Sequence, residues 1–553
     1  MVLLKKYIYL ILLLGILIFS FKARYINPIS LADLEPLDAS VYALSAYNLY
    51  QHHIYGFKFW AQYYPSQYPF GYPLLIIPFY IFFGNQPYNA IYCSLFFSLL
   101  SLVFAYLIGK ELGNRFTGLI AALFVALCPK HIEYSKYIMT EASSTFFTLF
   151  ICWLVLKVIY FDSKKQGLLL LFLGIIAGFS VLVHLSNCLL IPPILISLLL
   201  VRKSNIWSWS MVKKQTLIIF GIILALTPLL LYQSHAFGSP LRTGFAMREP
   251  ELFGKFKCFS FKFFAHPPPH PHNAWKKGNF IVYSSALAGL NKDFYPVSMI
   301  PLILGGSLLI FSKRRKQNKQ MKFLIFSSIV VASLFIFFLF YHWQDSRLLL
   351  RGVPLLMILA AYCTSYFVDK GIFKSLTKGS VFSITILSLL LITIVQMAFW
   401  SYSQPKSLRW VSDLQYRIIQ YITKHTPHNA VIISDFNMPL IPEYYFTEHT
   451  ASKRVYISVS IPEYKRWVIS GKIKPIKYDS TRKYSFLFFP DGTPNSETYN
   501  FIGQALRKRV PVYFFYNRRR ALCIKFLPFI KEYFRMSEQN GGSGLFRLYP
   551  KDW

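Results

Sequence analysis

The sequence predicts a polytopic α-helical membrane protein of roughly eleven spans, with a soluble α/β domain at its C-terminal end. Three observations predict it. Apolar runs of membrane-spanning length recur from the N-terminus to about residue 400, in a chain of 553 residues that is 54% hydrophobic with mean hydropathy +0.41. After residue 400 the runs shorten and mix with charges and turn signals. Lys and Arg outnumber Asp and Glu by 59 to 23, a formal net charge of +36. Many of these basic residues sit in short loops between apolar runs, where they set membrane topology rather than bind nucleic acid.

The first span, 7–24, follows Lys5 and Lys6 and lacks a small-residue cleavage site, so it reads as a retained anchor. Further spans fall at 88–109, 116–129, 141–160, 167–183, 185–201, 215–232, 295–312, 323–341, 348–368 and 380–400. Segment 70–84 is apolar but short and broken by Pro73 and Pro78, and reads as an interfacial or re-entrant helix. With the N-terminus inside, the loops 110–115, 162–167, 202–214, 313–322 and 369–380 also lie inside. All five carry excess basic residues, Lys313-Arg314-Arg315-Lys316 most of all. The outer side then receives 25–87, 130–140, the turn near His184, 233–294, 342–347 and everything after 400. This gives a membrane domain, 1–400, with a first outer loop 25–87 and a large outer loop 233–294, and an extracytoplasmic α/β domain, 401–553.

In that last domain, short apolar runs at Ala430–Ser434, Arg454–Val459, Tyr484–Phe489, Val510–Tyr516 and Leu545–Tyr549 read as strands. It holds 24 Lys and Arg against 11 Asp and Glu, which suits an anionic lipid surface or an anionic acceptor as well as a plain solvated surface. The seven cysteines fall mostly inside spans and form no CxxC pair, so neither a disulfide framework nor a zinc site is expected.

The informative polar residues lie on the outer side. Asp33, Glu35 and Asp38 make the first outer loop acidic in a strongly basic chain. If a helix starts near Asp38, then Asp38, Tyr42, Ala46 and Leu49 share a face, and its Tyr and Leu residues would lay it along the membrane surface. Glu141 stands at the mouth of an apolar span, where a carboxylate needs a partner or a task. As helix N-terminal acids, both would simply complement the helix dipole. His184 and Asn187 break an apolar run at the same level; a histidine there is either a hydrogen-bonded packing residue or a substrate contact. Arg347 and Arg351 stand at the mouth of the tenth span, where a guanidinium fork holds phosphate or snorkels to the interface. His266, His270 and His272 lie in a prolyl stretch whose extended conformation does not suit a metal site. A lipid-borne phosphate ester, with its tail in the bilayer and its head among these groups, fits the arrangement.

The chain resembles the polyprenyl-phosphate-dependent glycosyltransferases of the GT-C fold, most of all the branch containing protein O-mannosyltransferases and lipid A aminoarabinose transferase. The resemblance rests on five motifs in order. They are Asp38 with Tyr42, Ala46 and Asn48-Leu49; Pro69-Phe70-Gly71-Tyr72-Pro73-Leu74; Gly118-Leu119-Ile120-Ala121-Ala122 leading to Cys128-Pro129, Tyr134-Ser135-Lys136 and Thr140-Glu141; Phe237-Gly238-Ser239-Pro240 with Arg242-Thr243-Gly244; and Asp345-Ser346-Arg347-Leu348-Leu349 with Pro354. It departs where Ala39 follows Asp38 in place of a second acid, and where His184-Leu185-Ser186 replaces an Arg-Pro. The resemblance implies an integral-membrane, inverting transfer of a sugar from a polyprenyl-phosphate donor to an acceptor hydroxyl, or phosphate, on a lipid, glycan or protein. Asp38 and Glu141 would be the catalytic carboxylates. Arg347 and Arg242 would bind the donor phosphate, and Tyr42, Glu35, His184 and Tyr72 would line the substrate. No cofactor is called for with certainty; Asp38 and Glu141 could share a divalent cation. The cytoplasmic membrane of a bacterium is favoured, since no Asn-x-Ser/Thr sequon occurs. A transporter or flippase of lipid-linked glycans is the other reading, though its ionisable residues would be expected at the bilayer midplane and in internal repeats.

Overall fold

The computed structural model describes residues 2–25, 37–59, 62–160, 166–199, 209–248, 250–268, 276–312, 318–368, 381–402, 409–434, 455–458, 477–478, 496–516, 521–539 and 544–551. Asp33, Glu35, His270, His272 and the expected strand 484–489 lie outside the described residues. So do loop residues 162–165, 202–208, 313–317 and 369–380.

The membrane part begins with α1 (Val2–Arg24) and α2 (Leu37–His52). A hairpin of β1 (Phe57–Phe59) and β2 (Gln62–Tyr64) and the helix α3 (Gly71–Phe83) follow. Then come α4 (Ile91–Leu112), α5 (Arg115–Ala126), α6 (Pro129–Tyr134), α7 (Glu141–Tyr160), α8 (Gln166–Val183), α9 (Ile191–Leu199) and α10 (Trp209–Phe237). Short helices α11 (Gly244–Arg248), α12 (Lys262–Ala265) and α13 (Asn279–Leu287) lead to α14 (Ile300–Ser312), α15 (Asn318–Leu339), α16 (Val353–Phe367) and α17 (Val381–Tyr402). Among the described residues seven helices are long and apolar enough to cross a membrane. Shorter apolar helices at 115–126, 185–197, 297–311 and 353–367 occupy the other four expected spans.

Segment 70–84 runs as expected for a helix that does not cross. A Cβ on Gly71, at the start of α3, would stand 2.4 Å from the Leu182 carbonyl carbon at the end of α8, so only glycine fits there. At the other end, Asn89 Nδ2 donates to the carbonyls of Phe83 (2.7 Å) and Gly84 (2.9 Å), just before α4. The end of α8 and the start of α4 belong to one end of the helix bundle, and α3 lies along it.

The C-terminal region builds a five-stranded sheet from β3 (Val431–Ser434), β4 (Val455–Ser458), β6 (Val512–Phe515), β7 (Phe534–Glu538) and β8 (Leu545–Pro550), in the order β4-β3-β6-β8-β7. β3 pairs in parallel with β4 and β6; β8 and β7 add antiparallel. Helices α18 (Arg409–His425), α19 (Ser496–Arg507) and α20 (Ala521–Tyr533) accompany it. β3 is buried on both faces, as a parallel central strand must be. Val431 and Ile433 join Ile502 and Ile530 on one side, whereas Ile432 belongs to a different core with Ile419 and Ile422 of α18.

That second core is shared with the first loop: it also contains Ala39, Val41, Tyr42, Ala43, Phe57, Tyr64 and Tyr72. β5 (Lys477–Tyr478) extends the hairpin, with Gln62 opposite Tyr478 and Tyr63 opposite Lys477. The Tyr and Leu face of α2 is not left free: residues 39–46 are all buried, packed in one core with residues of α3 and the C-terminal region.

Candidate active site

Asp38 occupies the first turn of α2, where a carboxylate meets the helix N-terminus favourably. The Tyr68 hydroxyl donates to Asp38 Oδ1. The Tyr68 ring lies 4.5 Å from that of Tyr42, one turn along α2, and Tyr42 meets Tyr72 edge-on at 5.1 Å. The buried Tyr72 hydroxyl is 2.6 Å from Ser94 Oγ, which donates to the Met139 carbonyl at 3.3 Å. This tyrosine wall therefore runs from Asp38 to the segment that ends at Glu141.

Glu141 is the first residue of α7 and is 8% exposed. Its Oε1 lies 3.5 Å from Arg347 Nε, which is also 3.2 Å from Asp345 Oδ2. Asp345 caps the 3-10 turn 346–349 by accepting from the Arg347 backbone N–H at 2.9 Å, so one side chain fixes both the turn and its arginine. The guanidinium sits over the rings of Tyr134 (5.7 Å) and Trp343 (6.0 Å). Burial alone would lower the Arg347 pKa. Glu141, Tyr134, Asp345 and Asp38 together outweigh burial and raise it well above its ordinary value, so the cation is permanent. Arg347 Nε–H is within ion-pair reach of two carboxylates but aligned with neither, and Glu141 Oε2 has no donor; both atoms are buried. Buried polar atoms left this way are satisfied by ordered water or by a bound ligand.

Arg351, one turn on and 4% exposed, donates to Ser186 Oγ (2.8 Å) and Asn187 Oδ1 (2.7 Å). His184 Nδ1 is 2.6 Å from Ser186 Oγ, and Asn187 Nδ2 donates to Ser144 Oγ on α7 at 3.2 Å. His184 thus joins the site through Ser186 and Arg351.

Four of the expected residues, Asp38, Tyr42, Glu141 and Arg347, converge, and Tyr72 and His184 flank them. Arg242 is exposed beyond α10, donating to the Phe237 carbonyl at 3.2 Å. Glu35 lies outside the described residues. Sequence reasoning missed Tyr68 and the anchoring role of Arg351. The density of tyrosines over 63–72 was the one available signal for the first. A shared divalent ion does not fit the described side chains. A guanidinium stands beside Glu141, and among the described residues no group of three His, Cys, Asp or Glu side chains is disposed to hold a metal.

Residues 67–232 match the family model described as dolichyl-phosphate-mannose-protein mannosyltransferase. No protein of curated function matches the sequence. Among solved structures, ArnT from Cupriavidus metallidurans, determined bound to undecaprenyl phosphate, is similar with a TM-score of 0.60 at 9% identity, over 98% of this chain and 97% of that one. The chain has the GT-C fold. The archaeal oligosaccharyltransferase AglB from Archaeoglobus fulgidus, solved with an inhibitory peptide and a dolichol-phosphate, is similar with a TM-score of 0.51 at 15% identity, over 99% of this chain and 75% of that one. Within the GT-C fold, the family match spans α3 to α10 and includes Glu141 and His184, while Asp38 and Arg347 lie outside it on either side.

Proposed function

We propose that this protein is an inverting glycosyltransferase that moves a sugar from a polyprenyl-phosphate donor to an acceptor hydroxyl at the outer face of a bacterial cytoplasmic membrane. The observation that carries the reading is the buried Arg347, with an unspent N–H beside an unpartnered Glu141 oxygen, at the same end of the bundle as Asp38. ArnT's bound undecaprenyl phosphate supports a lipid phosphate as the ligand of such a site.

The donor phosphate docks against Arg347, where the guanidinium offers more than one N–H. As the bond between the anomeric carbon and the phosphate oxygen breaks, charge grows on that oxygen and Arg347 stabilises it. Glu141 and Asp345 orient the guanidinium, and Arg351 holds the opposite wall through Ser186 and Asn187. Asp38, steadied by Tyr68, accepts the acceptor's hydroxyl proton as the new bond forms on the face opposite the phosphate. A single displacement of this kind inverts the anomeric centre. If the acceptor is a phosphate, already ionised, Asp38 has no proton to take and its loss matters less.

The C-terminal region roofs the loop that carries Asp38, which suits a part in holding the acceptor. The experiment supplies purified protein with a labelled polyprenyl-phosphate sugar and an acceptor extract. Free polyprenyl phosphate and an inverted glycoside are expected. Movement of intact donor across a vesicle membrane without either product would favour a flippase and overturn the reading.

A further inference from the structure

Residues 250–268 form a strap that is not a span yet exposes four of its six phenylalanines, Phe256, Phe259, Phe261 and Phe264. Phe256 is 78% exposed and Phe261 85%. Phe256 holds φ at +54, a conformation that a bulky residue adopts only under constraint, and its ring is directed away from the fold. The strap is nevertheless fixed. Ser260 N donates to the Phe340 carbonyl at 2.9 Å, His342 N donates to the Cys258 carbonyl at 2.9 Å, and Phe259 and Tyr341 form an antiparallel bridge.

Its place is set by α15. Phe259 packs on Phe337 (4.9 Å) and Phe261 on Phe340 (4.9 Å), at the end of a helix long and apolar enough to cross a membrane, where Ile336 is 56% exposed. The strap therefore crosses the lipid-facing side of that helix at its end, which is head-group level. Lysines ring it. Lys255, Lys257 and Lys262 belong to the strap, and Lys276 and Lys277 are drawn beside α12 by Gly278. A Cβ on Gly278 would stand 2.4 Å from the Ala265 carbonyl carbon. Glu251 pairs with Lys255 (2.8 Å) and lies 3.9 Å from Lys257. Five lysines against one glutamate leave this patch cationic by four charges, counted over 250–268 and 276–281.

We propose that this strap docks into an anionic phospholipid leaflet, with Phe256, Phe261 and Phe264 at the acyl boundary and the lysines on lipid phosphates. Aromatic rings bounded by lysines at the end of a span match the apolar edge and anionic surface of such a leaflet on both counts. The inference does not depend on the proposed reaction.

The test places a bimane label at Phe261→Cys, in a protein carrying Cys188→Ser and Cys523→Ser, and reconstitutes it in nanodiscs. A second label at Phe256→Cys guards against loss of the Phe261–Phe340 contact. Head-group nitroxide phosphatidylglycerol should quench either label at least about twofold more than the same amount of nitroxide phosphatidylcholine, and aqueous iodide should quench weakly. Replacing the five lysines by Gln should equalise the two lipids. Strong quenching by iodide at both sites would overturn the docking and favour a soluble or protein partner. Equal quenching by the two lipids in the lysine-intact protein would overturn the anionic preference.

Discussion

Replacing Arg347 separates its charge from its shape. In Arg347→Ala the Glu141 carboxylate, 8% exposed, and Asp345, 27% exposed, lose the cation between them. Breaking such a buried pair by removing one partner costs about 3–5 kcal/mol, lessened where a carboxylate takes up a proton. If Arg347 also meets the developing phosphate charge, kcat falls by about 10²–10³, on the scale of losing one preorganised donor. Arg347→Lys keeps the charge but not the planar fork, so the loss should be about one decade, near 1.4 kcal/mol. Arg347→Met keeps much of the side-chain bulk without charge and should behave as Ala does in catalysis but unfold later in detergent. The assay is release of polyprenyl phosphate from labelled donor, with donor affinity measured separately. Added guanidinium should partly restore the Ala variant. Unchanged donor affinity and turnover in folded Lys and Ala variants would refute the phosphate assignment, whatever their stability.

Other consequences are more local. Tyr68→Phe removes the hydroxyl bonded to Asp38 and keeps the ring against Tyr42; turnover should fall about tenfold, the worth of a hydrogen bond to a charged group, with donor affinity unchanged. Lys130→Met strands the carboxyls of Glu133 (3.2 Å) and Asp293 (3.9 Å), which burial already holds above their ordinary range. Carboxyls with raised pKa lose stability as pH climbs through that pKa, so the variant's thermal unfolding should drop further below wild type in mildly alkaline buffer than in mildly acidic buffer. Cysteine reporters at Ser312, Lys164 and Lys374 should label from the cytoplasm and those at Asn273 and Asn495 from outside. Cytoplasmic labelling of Asn273 would invert the topology.

The spans and the C-terminal strands were legible because each carries its own signal, a long apolar run or a short one between turns. β3, β4, β6 and β8 fall within the expected segments, to within a residue at Pro550. Asp38 and Glu141 stood out because an acid at the start of an apolar helix is unusual in so basic a chain. What escaped was what tertiary structure alone creates. Arg351 meets Ser186 and Asn187 across more than 160 residues, and nothing local announces that pairing. The two-residue strand β5 has no periodicity to read, yet it ties the C-terminal region to the first loop. α2 looked like a surface helix because its tyrosines suit an interface, and its burial follows from a sheet encoded nearly 400 residues later. Arg242 reads as a second phosphate ligand from its motif alone, and in the structure it is exposed and bonded to the Phe237 carbonyl.

The account turns on Asp38 as the base, and Asp38→Asn tests it most directly. The amide is nearly isosteric, still accepts from Tyr68 and cannot take a proton. Transfer to a hydroxyl acceptor, followed with labelled donor and protein of wild-type stability, should fall by roughly 10²–10⁴-fold with donor affinity little changed. Glu35→Gln measured alongside should lose much less. Near-normal transfer by Asp38→Asn beside an inactive Glu35→Gln would move the base to the other carboxylate, and full activity in both would contradict the base mechanism itself.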